Sequence, residues 1–179
     1  MPPIDPIERL LAHEEIRQIV ARYAVAVDSR DLTALVNLFV DDVRIGPDQR
    51  GREALRLSFD ASLRAVGRTI LNVGTHVIDL IDAAHATGLV YCHGEIQDGE
   101  RWIRQAILYR DAYERRGDQW YFVRRLHELW YGAEVGVNPL TLPPANWPQR
   151  HDGMGTVPEC WETWRAFWAT NSPPHDDEG

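Results

Sequence analysis

The amino-acid sequence predicts an α+β domain in which a curved antiparallel sheet wraps around N-terminal helices. Three observations predict it. Residues 6–66 carry apolar side chains at helical spacing, in successive blocks. From Gly67 the period drops to two, and four strand-like runs follow, joined by short polar turns such as QDGE and RGDQ. Beyond residue 135 both periods give way to a stretch rich in proline and tryptophan. The chain therefore divides into a folded domain at 1–135 and a C-terminal arm with a short helix at 136–179.

The first helix is expected over residues 6–27, with Asp5 as its cap and Pro6 at its first position. Ile16, Ile19, Val20, Tyr23 and Val27 form its apolar stripe. Asp31 reads as the N-cap of a second, shorter helix ending near Phe39, whose buried face is Leu32, Leu35, Val36 and Leu38. A short strand at 40–45 and a turn at 48–51 lead into a third helix at 52–66, marked by Ala54, Leu55, Phe59, Leu63 and Val66. The strands are expected at 69–82, 86–96, 102–115 and 120–131, and Gly74 marks a bulge or bend in the first. Short connections favour an antiparallel meander. The arm ends in a short helix at 160–168 and a tail, NSPPHDDEG, expected to be disordered. Trp147, Trp161, Trp164, Phe167 and Trp168 suit a segment that covers an apolar surface, either the mouth of the domain or a neighbouring subunit.

Composition excludes several functions. The formal charge of −8 and the lack of a basic patch argue against nucleic-acid and membrane partners. No apolar run is long enough to span a bilayer, and the N-terminal residues lack a basic segment followed by an apolar one. Cys92 and Cys160 stand far apart, without a disulfide or zinc pattern, which suits a reducing cytoplasm. All 19 basic residues are arginines, so a Schiff-base lysine, a pyridoxal-phosphate anchor and a P-loop lysine are excluded together. No HExxH, GxSxG or glycine-rich nucleotide loop occurs, which leaves cofactor-free and metal-free acid–base chemistry, or none.

Strand parity selects the candidate site residues. His76 shares its face with Ile70, Asn72, Gly74, Ile78 and Leu80, a mostly apolar row expected on the concave side. Asp28, at the end of the covering helix, is the carboxylate expected to hydrogen-bond His76 and raise its basicity. Arg125 shares a face with Tyr121, Val123, His127 and Leu129. Arg124 has the opposite parity and is excluded from the cavity unless a bulge intervenes. His93 is a second strand histidine able to line the same space, whereas His13, His85, His151 and His175 read as solvent-facing.

The run of Tyr23 and Asp28 on the first helix, a second helix ending in LF, DDV, Gly51 before a third helix, His76 in its strand and a closing W-Y-F strand resembles the SnoaL-like branch of the nuclear transport factor 2 superfamily. The resemblance covers about three-quarters of the chain and omits the arm. It implies a conical α+β barrel with a deep apolar pocket. The Asp28 and His76 pattern is similar to that of scytalone dehydratase, bile acid 7α-dehydratase and hexachlorocyclohexane dehydrochlorinase, which use an Asp–His pair for elimination without a cofactor. Carried onto this chain, the resemblance implies His76 as general base, Asp28 as its orienting carboxylate and Tyr23 as hydrogen-bond donor to the substrate. Arg125 and His93 shape the polar end, with Asn72, Ile78, Tyr121 and His127 as further lining. A hydrophobic cyclic substrate and a homo-oligomer, trimeric or dimeric, are the implied partners. The same fold also carries isomerases, polyketide cyclases and non-catalytic dioxygenase β subunits, so those readings stand beside a dehydratase-type lyase.

Overall fold

The computed structural model describes residues 4–146, 149 and 153–170. The expectations for Trp147, His151, His175 and the acidic tail fall outside these residues. Helix α1 (Pro6–Asp28) starts where Asp5 accepts hydrogen bonds from the Ile7 and Glu8 amides. It buries Ile16, Ile19 and Val20 against the sheet. Helix α2 (Leu32–Asn37) is capped by Asp31, which accepts from the Ala34 amide at 2.9 Å. The strand expected at 40–45 shortens to β1 (Arg44–Ile45), which pairs with β2 (Gln49–Arg50) in a small hairpin ahead of α3 (Arg52–Arg64).

Four long strands follow: β3 (Thr69–Leu80), β4 (His85–Asp98), β5 (Arg101–Arg116) and β6 (Gln119–Glu134). They form one antiparallel sheet in the order β3-β4-β5-β6. The sheet does not close into a barrel: β3 and β6 remain edges, and only a bridge between Phe39 and Phe122 extends β6. The core between α1 and the concave face holds Ile16, Val20, Val90, Tyr113 and Phe122, each at most 1% exposed. Burying each such side chain contributes about 1.5–3 kcal/mol.

Two bulges set which residues face inward. In β3 the register shifts between Val73 and His76, at Gly74. Thr69, Leu71 and Val73 turn toward the helix before the bulge, and His76, Ile78 and Leu80 after it. Ile70 and Asn72, expected on the His76 face, therefore lie exposed on the outer face. In β6 the register shifts against β5 beside Val123, so Trp120 and Phe122 face inward before the bulge and Arg125 and His127 after it, while Arg124, opposite Ala112, faces outward.

A second apolar cluster joins Ala26, Val27, Leu32, Leu35 and Leu63 to Phe167 of helix α4 (Glu162–Ala169). The arm's helix thus covers the far side of α1, α2 and α3 rather than the mouth of the domain. Thr163 donates to the Ser29 carbonyl at 2.8 Å, and Trp164 lies under the Arg30 guanidinium at 4.9 Å.

Candidate active site

On the inner row of β5 stand Ile107, Tyr109, Asp111 and Tyr113, all buried. Asp111 is the one charged member, and a buried carboxylate requires a partner. Arg125, across the strand pair, supplies it in a two-pronged grip: Nε donates to Oδ1 at 2.9 Å and Nη2 to Oδ2 at 2.6 Å. The Arg125 side chain is 4% exposed and that of Asp111 0%. Three rings surround the guanidinium, those of Tyr23, Tyr109 and Phe122, with centroids 4.4, 4.3 and 4.4 Å from its carbon. Its Nη1 is buried and has no hydrogen-bond acceptor among the described residues. Burial pulls the Arg125 pKa down, but the Asp111 hydrogen bonds and charge outweigh it and the net shift is upward. Arg125 is a permanent cation.

Tyr113 extends the network. Its hydroxyl donates to Asp111 Oδ2 at 2.7 Å and lies 3.2 Å from His76 Nε2. Since that hydroxyl spends its proton on Asp111, it accepts from His76, which puts the imidazole proton on Nε2. Burial lowers the His76 pKa to about 4, so the ring is neutral and weakly basic. Gly88 makes room for this junction: a Cβ there would come within 2.9 Å of the Tyr113 ring and hydroxyl and 3.1 Å of His76 Nε2.

The Arg125 network borders a cavity of about 350 Å³. Tyr23, Phe39, Leu55, Phe59 and Tyr109 give it an apolar body, and Arg44, Arg125 and His127 give it polarity. Tyr23 is the aromatic hub, meeting Phe39, Phe59, Tyr109 and Phe122 edge-on at 5.9–6.4 Å. Burial raises the pKa values of Tyr23 and Tyr109, so both phenols are protonated donors. His127, opposite Tyr109 in the strand pair with ring centroids 5.5 Å apart, is held toward its neutral form by burial. It is the cavity's neutral nitrogen acceptor.

Asp28 belongs to a different cluster. Its carboxylate accepts from the Thr69 hydroxyl at 2.8 Å and from the Leu71 amide at 2.9 Å. Burial raises its pKa to about 6 against these hydrogen bonds and the charge of Arg30. Thr69 in turn accepts from Arg30 Nη1 at 2.8 Å, and Arg30 also grips the Val27 and Gly67 carbonyls. These contacts hold Arg30 in a left-handed backbone conformation (φ 58°) at the end of α1. Burial lowers the Arg30 pKa to about 10, partly offset by Asp28.

The expected Asp28–His76 hydrogen bond is therefore not made. Asp28 is anchored at Leu71, and His76 lies five residues further along β3 beyond the bulge, roughly 15 Å away at ~3.3 Å per residue. Neither residue lines the cavity. Other expected lining residues also lie elsewhere. Asn72 and His93 pair with each other on the exposed outer face. Ile78 packs in the main core. Tyr121 gives its hydroxyl proton to Gln119 and sets its ring 5.6 Å from the Arg52 guanidinium. Tyr23, Arg125 and His127 do meet at one cavity. Sequence reasoning missed Asp111 and Tyr113; the signal was a charged residue in a row of bulky inward positions, 107, 109, 111 and 113. Among the described residues no group of histidine, cysteine, aspartate and glutamate side chains could hold a metal ion, and no helix is long and apolar enough to cross a membrane.

Solved structures share this fold. Hexachlorocyclohexane dehydrochlorinase LinA-type3 from Novosphingobium barchaimii LL02 superposes with a TM-score of 0.67 at 21% identity, over 78% of this chain and 100% of that one. A provisionally assigned scytalone dehydratase from Novosphingobium aromaticivorans DSM 12444 gives 0.64 at 18% identity, over 75% and 94%. The protein Kfla4162 from Kribbella flavida gives 0.60 at 20% identity, over 68% and 92%. No curated protein matches in sequence. The model of the SnoaL-like domain matches residues 8–126, most of the chain. With that match and the helix-and-sheet architecture above, the chain belongs to the SnoaL-like family of the nuclear transport factor 2 superfamily.

Proposed function

We propose that the chain is a cofactor-independent lyase, removing a small leaving group from a hydrophobic cyclic molecule through acid–base chemistry in the cavity beside Arg125. The observation that carries this reading is the locked cation: a guanidinium fixed by Asp111 and three rings on the wall of an apolar chamber. A fixed cation in a low-dielectric site stabilises negative charge that develops on a carbonyl oxygen or a departing group. Tyr23 donates a hydrogen bond to the same oxygen, and neutral His127 accepts the proton from the adjacent carbon. His76 and Tyr113 act behind the wall, positioning Asp111 and so Arg125. Asp28 has no contact with the reacting atoms in this account. The superpositions on a dehydrochlorinase and a provisionally assigned dehydratase agree with elimination. An isomerase would begin with the same proton abstraction, and the residues assigned here serve either outcome.

The test follows solvent deuterium into cyclic β-hydroxy and β-halo ketones by NMR, which reads proton abstraction whether or not a group departs. The wild type is expected to exchange the proton next to the carbonyl in at least one compound, with exchange falling ~10²–10⁴-fold in His127→Gln. A His76→Gln variant that loses exchange while His127→Gln retains it would overturn the assignment. Exchange by neither the wild type nor any variant would favour a ligand-binding subunit.

A further inference from the structure

The convex face of the sheet is not built for water. An antiparallel sheet with one solvated face alternates apolar inward and polar outward positions. Here the outward positions include Val77, Leu89, Tyr91, Leu126, Trp130 and Tyr131, each 37–65% exposed. Tyr91 and Trp130 meet edge-on with ring centroids 5.8 Å apart, which joins the aromatic side chains into one patch. The main core packs on the concave side, and α4 covers the far side of α1, α2 and α3. Neither layer reaches the convex face, where these side chains stand open.

The charges on this face are ordered too. Between the row that starts at Ile70 and the row that starts at Asp79, the carboxylates Asp79, Glu95 and Glu128 stand against the guanidinium groups of Arg104, Arg110 and Arg124. The face is therefore balanced in a chain of formal charge −8, whose copies repel elsewhere. Glu128 and Glu95 pair with Arg110 and Arg104 within the sheet. Asp79 and Arg124 are exposed and make no hydrogen bond or ion pair among the described residues. The register puts them at the two ends of one row, Asp79–Thr87–Ala112–Arg124, with small side chains between.

We infer that this face binds a second copy of the chain, in a dimer whose twofold axis runs along the strands between β4 and β5. Such an axis lays β3 of one copy over β6 of its partner at the same level, so each row faces itself reversed. Asp79 then meets Arg124 of the partner subunit at both edges. In the row that starts at Ile70, the Glu95–Arg104 pair meets the same pair reversed, carboxylate to guanidinium. A twofold across the strands would instead set Asp79 over Ile70 and leave its charge on an apolar side chain. Sheets packed face to face stand ~10 Å apart, a gap that an aspartate and an arginine span between them. Four strands ~4.8 Å apart and ten residues at ~3.3 Å outline roughly 19 by 33 Å, which with side-chain relief approaches the ~800 Å² each partner gives a stable interface. The inference does not depend on the reaction in the cavity.

Sedimentation equilibrium of the full chain tests it. The wild type is expected at twice the chain mass of 20.5 kDa at micromolar concentration. Trp130→Ser is expected to weaken the dimer ~10-fold or more. Arg124→Asp and Asp79→Arg each oppose like charges and should weaken it by a similar factor. The double variant Asp79→Arg/Arg124→Asp should restore the wild-type dissociation constant to within ~3-fold. The far-ultraviolet circular dichroism of each variant is expected to match the wild type. A monomeric wild type, which would leave the face to a different partner, overturns the inference, as does a trimer. So does a Trp130→Ser or single charge variant that dimerises like the wild type, or a double variant that stays dissociated.

Discussion

The molecule contains two buried arginine–aspartate clusters, and they are built for different ends. On the sheet, Asp111 grips Arg125 directly, and both are fixed before any ligand arrives. At the end of α1, Asp28 and Arg30 meet only through the Thr69 hydroxyl, which accepts from one and donates to the other. The Arg30 Nη donors go to backbone carbonyls and Thr69, and Trp164 of α4 lies beneath its plane. That cluster ties together the end of α1, the start of β3 and the C-terminal helix. The Arg125 cluster instead presents a ringed cation to a cavity. Burial alone does not separate a site from a clasp. Access to a chamber does.

The largest difference should appear on deleting each carboxylate. Asp111→Ala leaves Arg125 buried without its partner and is expected to cost ~3–5 kcal/mol in urea denaturation. Asp28→Asn keeps one acceptor, for the Leu71 amide, and turns a donor toward the Thr69 hydroxyl, whose oxygen can accept; it should cost clearly less. Equal losses would mean that the two clusters do the same work.

A smaller effect is expected at Gly88. Gly88→Ala forces a methyl group against Tyr113 and His76 and should cost ~1–3 kcal/mol. It should also disturb the NMR signals of His76 and Tyr113 while leaving those around Asp28 in place. Unchanged stability and spectra would show that the junction is looser than described.

The smallest effect is in pH dependence. The folded protein holds Asp28 at about 6, above its ordinary 3.8. Its protonated form is favoured in the fold, so its contribution is fully present below about pH 3.8 and is lost as pH rises through about 6. His76 works the other way: lowered from 6.5 to about 4, it supports stability above pH 6.5, and that support is lost as pH falls through about 4. The stability of the wild type relative to Asp28→Asn should therefore decline between about pH 4 and 6. A difference that stays flat would place Asp28 in a more open setting.

Much of the fold was legible because it rests on periodicity and caps. Asp5 and Asp31 cap the helices expected of them, and the four strands fall within a few residues of the alternating runs. The bulge at Gly74 was also legible, but not its consequence. One extra residue reverses inward and outward for the positions before it, so Asn72 faces out while His76 faces in. The same device in β6 moves the inward row from Trp120 and Phe122 to Arg125 and His127 and leaves Arg124 outside. His93 followed a strand context without a known face, and the pairing with Asn72 sends it outward. The Asp28–His76 pairing fails because Asp28 is anchored at Leu71, too far from His76 along β3, and spacing in sequence does not reveal that separation. Asp111 was readable in principle, since a lone charge in an inward row calls for an arginine.

A crystal structure of the protein with the bicyclic ketone 2-tetralone bound tests the central claim most directly. The ring system is expected between Tyr23, Phe59 and Tyr109, with the ketone oxygen at Arg125. Density for the ligand along β3 between Asp28 and His76, with the cavity beside Arg125 left empty, would contradict it.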